Sequence, residues 1–426
     1  MLKQKDQITV TIKDIDYQGQ GVAKVDDFVI FTPGLLTNEK ATIEIVDVKK
    51  KFATAKLIKL INQSEDRIDH EQTILGSCNL LHVSPEAQLT WQTTTTSQTL
   101  KKIMGDVPKM TEIITDHNHM HYRNKSVFHV MPQKTLALGL YTKDQQLKKI
   151  ETFILADQVT NDIMSKLTAL DLKIDPKILK HIAIRTNLKK EALLTLIATE
   201  SYFDGLEALI EALKSFENIV GVTLNIKDHP KHLLGKQSFT LLGQNEITQD
   251  VAGLTLYVDD RSFFQINPGV MVKIYDVIKD FVTEDDHIID AYSGVGGIGY
   301  YLSDKVKHVI MIDQNEQNFS NAMKTKLIHG IGHVEVICDT METHQTSYEN
   351  HTLIVDPPRA GLDEKFIDYI IKEKFPKMVY LSCDIKTMAR DLNKLKNSYN
   401  IKQVTPIRMF FHTTSMETLA LLELKT

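Results

Sequence analysis

The stretch "HIIDAYSGVGGIGYYLS", His287 to Ser303, decides the fold. A short apolar run closes on Asp290, glycines follow at 294, 296, 297 and 299, and a helix-like pattern begins at once. Such glycines allow a tight turn and a close backbone approach to a ligand. Downstream, "HVIMID", "VEVICD", "TLIVDPP" and "MVYLSC" repeat the short apolar run, with helical segments between most of them. Strands alternating with helices predict a doubly wound parallel sheet. "NIKQVTPIRMF" and "METLALLEL" read as a closing pair of strands, and mixed edges of that kind are common. Acids end four of the strands: Asp290, Asp313, Asp339 and Asp356. They are delivered to one edge of the sheet, where ligands of open α/β sheets bind.

The glycine loop alone fits NAD, FAD or S-adenosylmethionine, or a mere turn packing helix on strand. Its spacing departs from the dinucleotide form, because Asp290 precedes the glycines. An acid there suits the ammonium of S-adenosylmethionine, or a bound water, better than a pyrophosphate. Asp313 ends the next strand, a position that reaches ribose hydroxyls in Rossmann-like sheets. No Walker-type lysine follows, which argues against a nucleoside triphosphate.

At 426 residues the length predicts two or three domains. The first sixty residues, with "QITVTIKDID", "FVIFTPG", "KATIEIVDVKK" and "FATAKLIKLI", read as an OB-like β-barrel, a common nucleic-acid module. Residues 61–250 mix strands and helices as a central α/β region, and 251–426 carry the doubly wound sheet. Within the central region, Ser84 and Pro85 read as the N-cap and first position of a helix. Net charge is −5, so the chain is no globally basic nucleic-acid coat. Lys372 to Arg408 nevertheless holds nine Lys or Arg against three Asp or Glu, either a phosphate-attracting patch or a solvated helix face. No apolar run approaches the roughly 20 residues that span a bilayer. Cys78, Cys338 and Cys383 are too few and too scattered for a disulfide framework, which fits a cytoplasmic setting.

Cys383 ends "MVYLSC" immediately before "DIKTMARDL". It is either a packed structural cysteine or a nucleophile whose pKa the helix N-terminus and nearby bases lower. Cys338 reads as packing. A nucleophile whose adduct must lose a proton needs a base. Glu417, at the head of the last strand, is either that base or a solvated strand end.

With these residues in place, the chain resembles the S-adenosylmethionine-dependent RNA uracil-5-methyltransferases. "FFQINPGV" (263–270), "DAYSGVGGIG" (290–299), "DPPRAGL" (356–362), "SCDIKTMARDL" (382–392) and "HTTSMETLALL" (412–422) are similar to that family's motifs, in its order. "YRNKSVFHV" (122–130) resembles its central-domain segment, and the first sixty residues resemble its RNA-binding TRAM domain. The resemblance implies that Cys383 attacks C6 of a uracil and that Glu417 removes the C5 proton. It implies cofactor-binding roles for Gln265, Tyr292, Asp313 and Asp356, and backbone- or phosphate-steadying roles for Arg359 and Arg390, with pairing to a helix carboxylate an equal alternative for Arg390. It implies an RNA substrate, with the barrel favouring 23S ribosomal RNA over transfer RNA, and 5-methyluridine as the product. No protein partner and no metal ligand are implied. Many members bind an iron–sulfur cluster through four cysteines. Here residues 61–90 keep the surrounding pattern with Cys78 alone, so no cluster is expected. Asp384-Ile385 stands where Asn-Pro is common, and Asp384 disfavours a thiolate unless it caps the following helix.

Overall fold

The computed structural model describes residues 2–425 other than 27, 342, 345 and 346. Near the N-terminus, six strands between Gln7 and Asn62 form one curled sheet. In Lys40–Val48 every second side chain is inward, so Ala41, Ile43 and Ile45 meet Ile12, Ala23 and Ile30 in a small core. A second sheet of seven strands lies between Lys125 and Gly243. One parallel pair, Ala192–Ala198 with Ile219–Ile226, is joined through the helix Leu206–Leu213.

The third sheet carries the predicted edge. Its strands are β1 (His287–Ala291), β2 (His308–Asp313), β3 (Val334–Cys338), β4 (His351–Val355), β5 (Lys377–Ser382), β6 (Tyr399–Ile407) and β7 (Glu417–Leu424). Their order is β3-β2-β1-β4-β5-β7-β6. The first five run parallel, and β7 is antiparallel to both β5 and β6. Helices cover both faces, which is why β1, β4 and β5 read as nearly unbroken apolar runs. The order reverses between β1 and β4, and a crevice opens beyond the carboxyl ends of strands at such a point.

Ser84 caps the helix Pro85–Met104 by accepting the Ala87 amide at 3.2 Å, as the sequence predicts. This helix packs on Ile385–Leu395, and Trp91, Leu100, Met388 and Leu392 share one core. Among the described residues no helix is long and apolar enough to cross a membrane.

Candidate active site

At the carboxyl edge of β1 the chain turns through Tyr292 (φ 62°) and Gly294 (φ 57°). A Cβ at Gly294 would meet nothing nearer than the Phe263 carbonyl at 3.9 Å, so this backbone faces open space. Gly299 serves differently. A Cβ there would stand 2.6 Å from the Met311 sulfur, and its absence lets the Gly299 amide donate to Asp290 at 2.8 Å. The resulting cavity is lined by Phe263, Gln265, Asp290, Tyr292, Gly294 and Asp356, among others. Three of the four predicted cofactor residues, Gln265, Tyr292 and Asp356, thus share one cavity. Asp313 stands behind its glycine wall. Its carboxylate accepts the amides of Gly294 (2.9 Å) and Asn315 (2.8 Å) and the Asn318 side chain (3.1 Å), so it also fixes the loop. A backbone facing open space beside several acids fits S-adenosylmethionine, a ligand with ribose hydroxyls, an ammonium and a sulfonium.

Asp290 is 1% exposed, and burial pushes its carboxyl up to about 7, helped by Asp356 and Asp313 and opposed by the Gly299 amide. A carboxyl raised by folding contributes stability below its unfolded value, and that contribution is lost as pH climbs through about 7. Asp290→Asn should therefore stabilise the ligand-free protein at pH 8 by roughly 2–4 kcal/mol, and far less at pH 5. Denaturant melts at the two pH values test this. Destabilisation at pH 8 would mean that the Gly299 hydrogen bond outweighs desolvation.

The predicted nucleophile and base come together through strand register. Ser382 of β5 pairs with Thr418 of β7, so the next residue on one strand, Cys383, faces the preceding residue on the other, Glu417. Asp356 follows β4, whose Val355 pairs with Tyr380 of β5. Asp384 turns away from the sulfur and caps Ile385–Leu395, accepting the amides of Lys386 (2.8 Å) and Thr387 (3.2 Å).

Electrostatics oppose the sequence expectation for Cys383. Burial pushes its thiol up to about 11, and Glu417 and Asp356 add to the rise. The Arg359 guanidinium, which hydrogen-bonds the thiol, opposes it. The helix N-terminus is spent on Asp384. Glu417 is 6% exposed, and its Oε2 has no hydrogen-bond partner among the described residues. Burial, reinforced by Asp356, holds its carboxyl well above the usual range, and Arg359 opposes this too. Asp356 is half-buried as a residue and lines the cavity, and desolvation raises its carboxyl to about 7.

Sequence reading missed what holds Glu417 in place. Gln92 donates to the carbonyls of Ile407 (2.8 Å) and Glu417 (3.2 Å). Gln88 accepts the His412 amide at 2.7 Å and an Arg408 N–H. Arg408 is fully buried, lowered by burial to about 10, and so still cationic at neutral pH. The signal was two glutamines four residues apart on the buried face of a helix. Arg390, the other predicted arginine, pairs with Asp391 at 2.7 Å and donates to the carbonyls of Ala360 and Leu362. Cys78 is packed with Leu75, Leu81 and Phe128. Among the described residues no group of three or more His, Cys, Asp or Glu side chains is arranged to hold a metal ion.

The tRNA (uracil-5-)-methyltransferase family profile matches residues 87–425, which take in the central sheet and all seven strands of the third sheet. The chain belongs to that family. Residues 3–58 match the TRAM domain. An uncharacterized RNA methyltransferase of Staphylococcus aureus (strain N315) is 30% identical over 445 residues, covering 98% of this chain and 98% of its own. Another, from Oceanobacillus iheyensis, is 30% identical over 443 residues, covering 98% of this chain and 96% of its own. Among solved structures, the Pyrococcus abyssi tRNA (uracil-54, C5)-methyltransferase in complex with S-adenosyl-L-homocysteine has a TM-score of 0.78. It is 21% identical, with 97% of this chain and 100% of that one covered, a likeness of fold. Membership of the family places the chain among the S-adenosylmethionine-dependent RNA methyltransferases.

Proposed function

We propose that the protein forms 5-methyluridine in RNA, with Cys383 as nucleophile and Glu417 as general base. The observation that carries this reading is the adjacency of a thiol and an unpartnered buried carboxyl across the β5–β7 ladder, beside the glycine-lined cavity. Cys383 gives up its thiol proton to solvent, its Sγ bonds to C6 of the target uracil, and the C5=C6 electron pair shifts toward C5 and O4. When bound, S-adenosylmethionine supplies a sulfonium-activated methyl group to C5. Glu417 then takes the C5 proton, the C5=C6 bond re-forms, and Cys383 departs. Arg359, in contact with the thiol, favours the anion that attack and departure both require. Gln265, Tyr292 and Asp356 hold the methyl donor from the cavity wall, and Asp313 holds it through the glycine loop and the ribose hydroxyls.

The RNA we propose first is 23S ribosomal RNA, the substrate that the sequence resemblance implies. Transfer RNA is the second reading. The Pyrococcus abyssi transfer-RNA enzyme is matched over 97% of this chain, too much to leave out the barrel, so a barrel does not by itself distinguish the two. Unmodified 23S and transfer-RNA transcripts incubated with the protein and labelled S-adenosylmethionine test the reading. One transcript should gain 5-methyluridine at a defined position. Label at a base atom other than uridine C5, or none in either transcript, would overturn it.

A further inference from the structure

We propose that the barrel turn Asp16–Gly21 is a substrate-reading lip of the catalytic cleft. Tyr17 stacks on the base of a nucleotide beside the target uridine, and Lys386 meets that nucleotide's phosphate. The inference rests on the RNA-methylating reading above and adds to it a residue-level contact from the barrel.

The turn is built to be rigid. The Asp16 carboxylate accepts the amides of Gln18 (2.9 Å) and Gln20 (2.8 Å), and the Trp91 indole donates to the Asp16 carbonyl at 2.9 Å. Gly19, at φ 75°, is wedged so tightly that a Cβ there would stand 2.7 Å from Leu80 and 2.9 Å from Thr414. Thr414 lies on the loop that leads into Glu417 and is held by two Asn79 hydrogen bonds of 2.9 Å. On its other flank the turn meets Lys386, whose Nζ sits 3.1 Å from the centre of the Tyr17 ring. Lys386 is three residues beyond Cys383. One turn of the barrel therefore touches both the segment carrying the nucleophile and the loop carrying the base.

Tyr17 is nonetheless 42% exposed, and Lys386 is exposed beside it. A pair that only clasped two domains would be sealed from water, and the Trp91 and Gly19 contacts already supply the clasp. The rim carries further exposed cations, Arg359 and Arg390. Its nearby acids are spent: Asp16 on its own turn, Asp384 on its helix, Asp391 on Arg390. An exposed aromatic ring with an exposed ammonium over one face is what a nucleotide offers a match for, since every base has a stackable face and every phosphate a charge. A protein partner would not need the ring to stand beside the segments that carry Cys383 and Glu417.

The test uses the full chain and the transcript that the wild type methylates. Tyr17→Ala should lower kcat/KM for RNA by about 5- to 100-fold, the range of a lost base stack, and leave KM for S-adenosylmethionine unchanged. Tyr17→Phe, which keeps the ring, should restore it. Lys386→Ala should reduce the salt dependence of RNA binding by about one phosphate contact. A photo-reactive phenylalanine at position 17 should cross-link to a nucleotide neighbouring the target. The cross-link is read on bound RNA without turnover, so it judges this contact even where methylation fails, while wild-type activity judges the functional reading. Unchanged RNA kinetics in Tyr17→Ala, or a parallel fall in RNA and cofactor parameters with no cross-link, would reduce the turn to a clasp.

Discussion

Cys383→Ala should yield no product and no covalent RNA complex, with activity down at least about 10⁴-fold, the scale seen when a catalytic nucleophile is removed. Without the sulfur nothing adds to C6, and C5 of an intact uracil is too weak a nucleophile to take a methyl group. A transcript carrying 5-fluorouridine sharpens the readout. Fluorine cannot leave as a proton does, so the wild type should remain attached and run as a retarded band on denaturing gels. Cys383→Ala should show none. The free thiol offers a second measurement. Burial holds it up near 11, so the thiolate is scarce at pH 7.5, and alkylation by iodoacetamide should be slow and accelerate as pH rises. Arg359→Ala removes the one group that lowers this value, and should slow alkylation further at a given pH. An adduct that survives in Cys383→Ala would assign the nucleophile elsewhere and take the mechanism with it.

The catalytic sheet was legible because its signals are local. The Ile288–Ile289 and Leu353–Val355 runs are apolar because both faces of a parallel strand are covered, and the acids that follow them, Asp290 and Asp356, break those runs visibly. The cap at Ser84 was legible for the same reason, since the serine bonds an amide only three residues on. What stayed hidden depends on register and on partners far along the chain. That Cys383 faces Glu417 follows from the pairing of β5 with β7, which sequence spacing does not disclose. Gln88 reaches Arg408 across 320 positions, and Tyr17 reaches Lys386 from another domain. For the thiol, the sequence offered a packed cysteine or a nucleophile of lowered pKa, and the free protein does not show the lowering. A helix N-terminus beside a cysteine predicts a lowered pKa, but Asp384 occupies that N-terminus, and two carboxyls press on the sulfur from neighbouring strands. The acids were visible one by one. Their mutual burial, which sets their charge, belongs to the folded edge alone.

Glu417→Gln should fail at the opposite end of the reaction. Addition and methylation need no base at C5, so the variant should reach the methylated adduct and stall there, with RNA attached, resolving about 10²–10⁴-fold more slowly than the wild type. The pH dependence follows from the site. Burial and Asp356 hold Glu417 well above the usual carboxylate range, so the free protein keeps that proton to higher pH than an exposed glutamate does. Once ionised, the same carboxylate is a stronger base than an exposed glutamate. In single-turnover experiments the wild-type rate of adduct resolution should rise with pH above the usual carboxylate range, as Glu417 loses its proton. In Glu417→Gln the rise should vanish. Asp356→Asn removes the negative neighbour, so whatever its effect on cofactor binding, it should move the rise to lower pH. A retarded band from Glu417→Gln that carries the transferred methyl label is the decisive species. If the variant instead releases product at the wild-type rate, another group takes the C5 proton. The unpartnered oxygen of Glu417, set into the edge by two glutamines and an arginine, would then have a structural task rather than a chemical one.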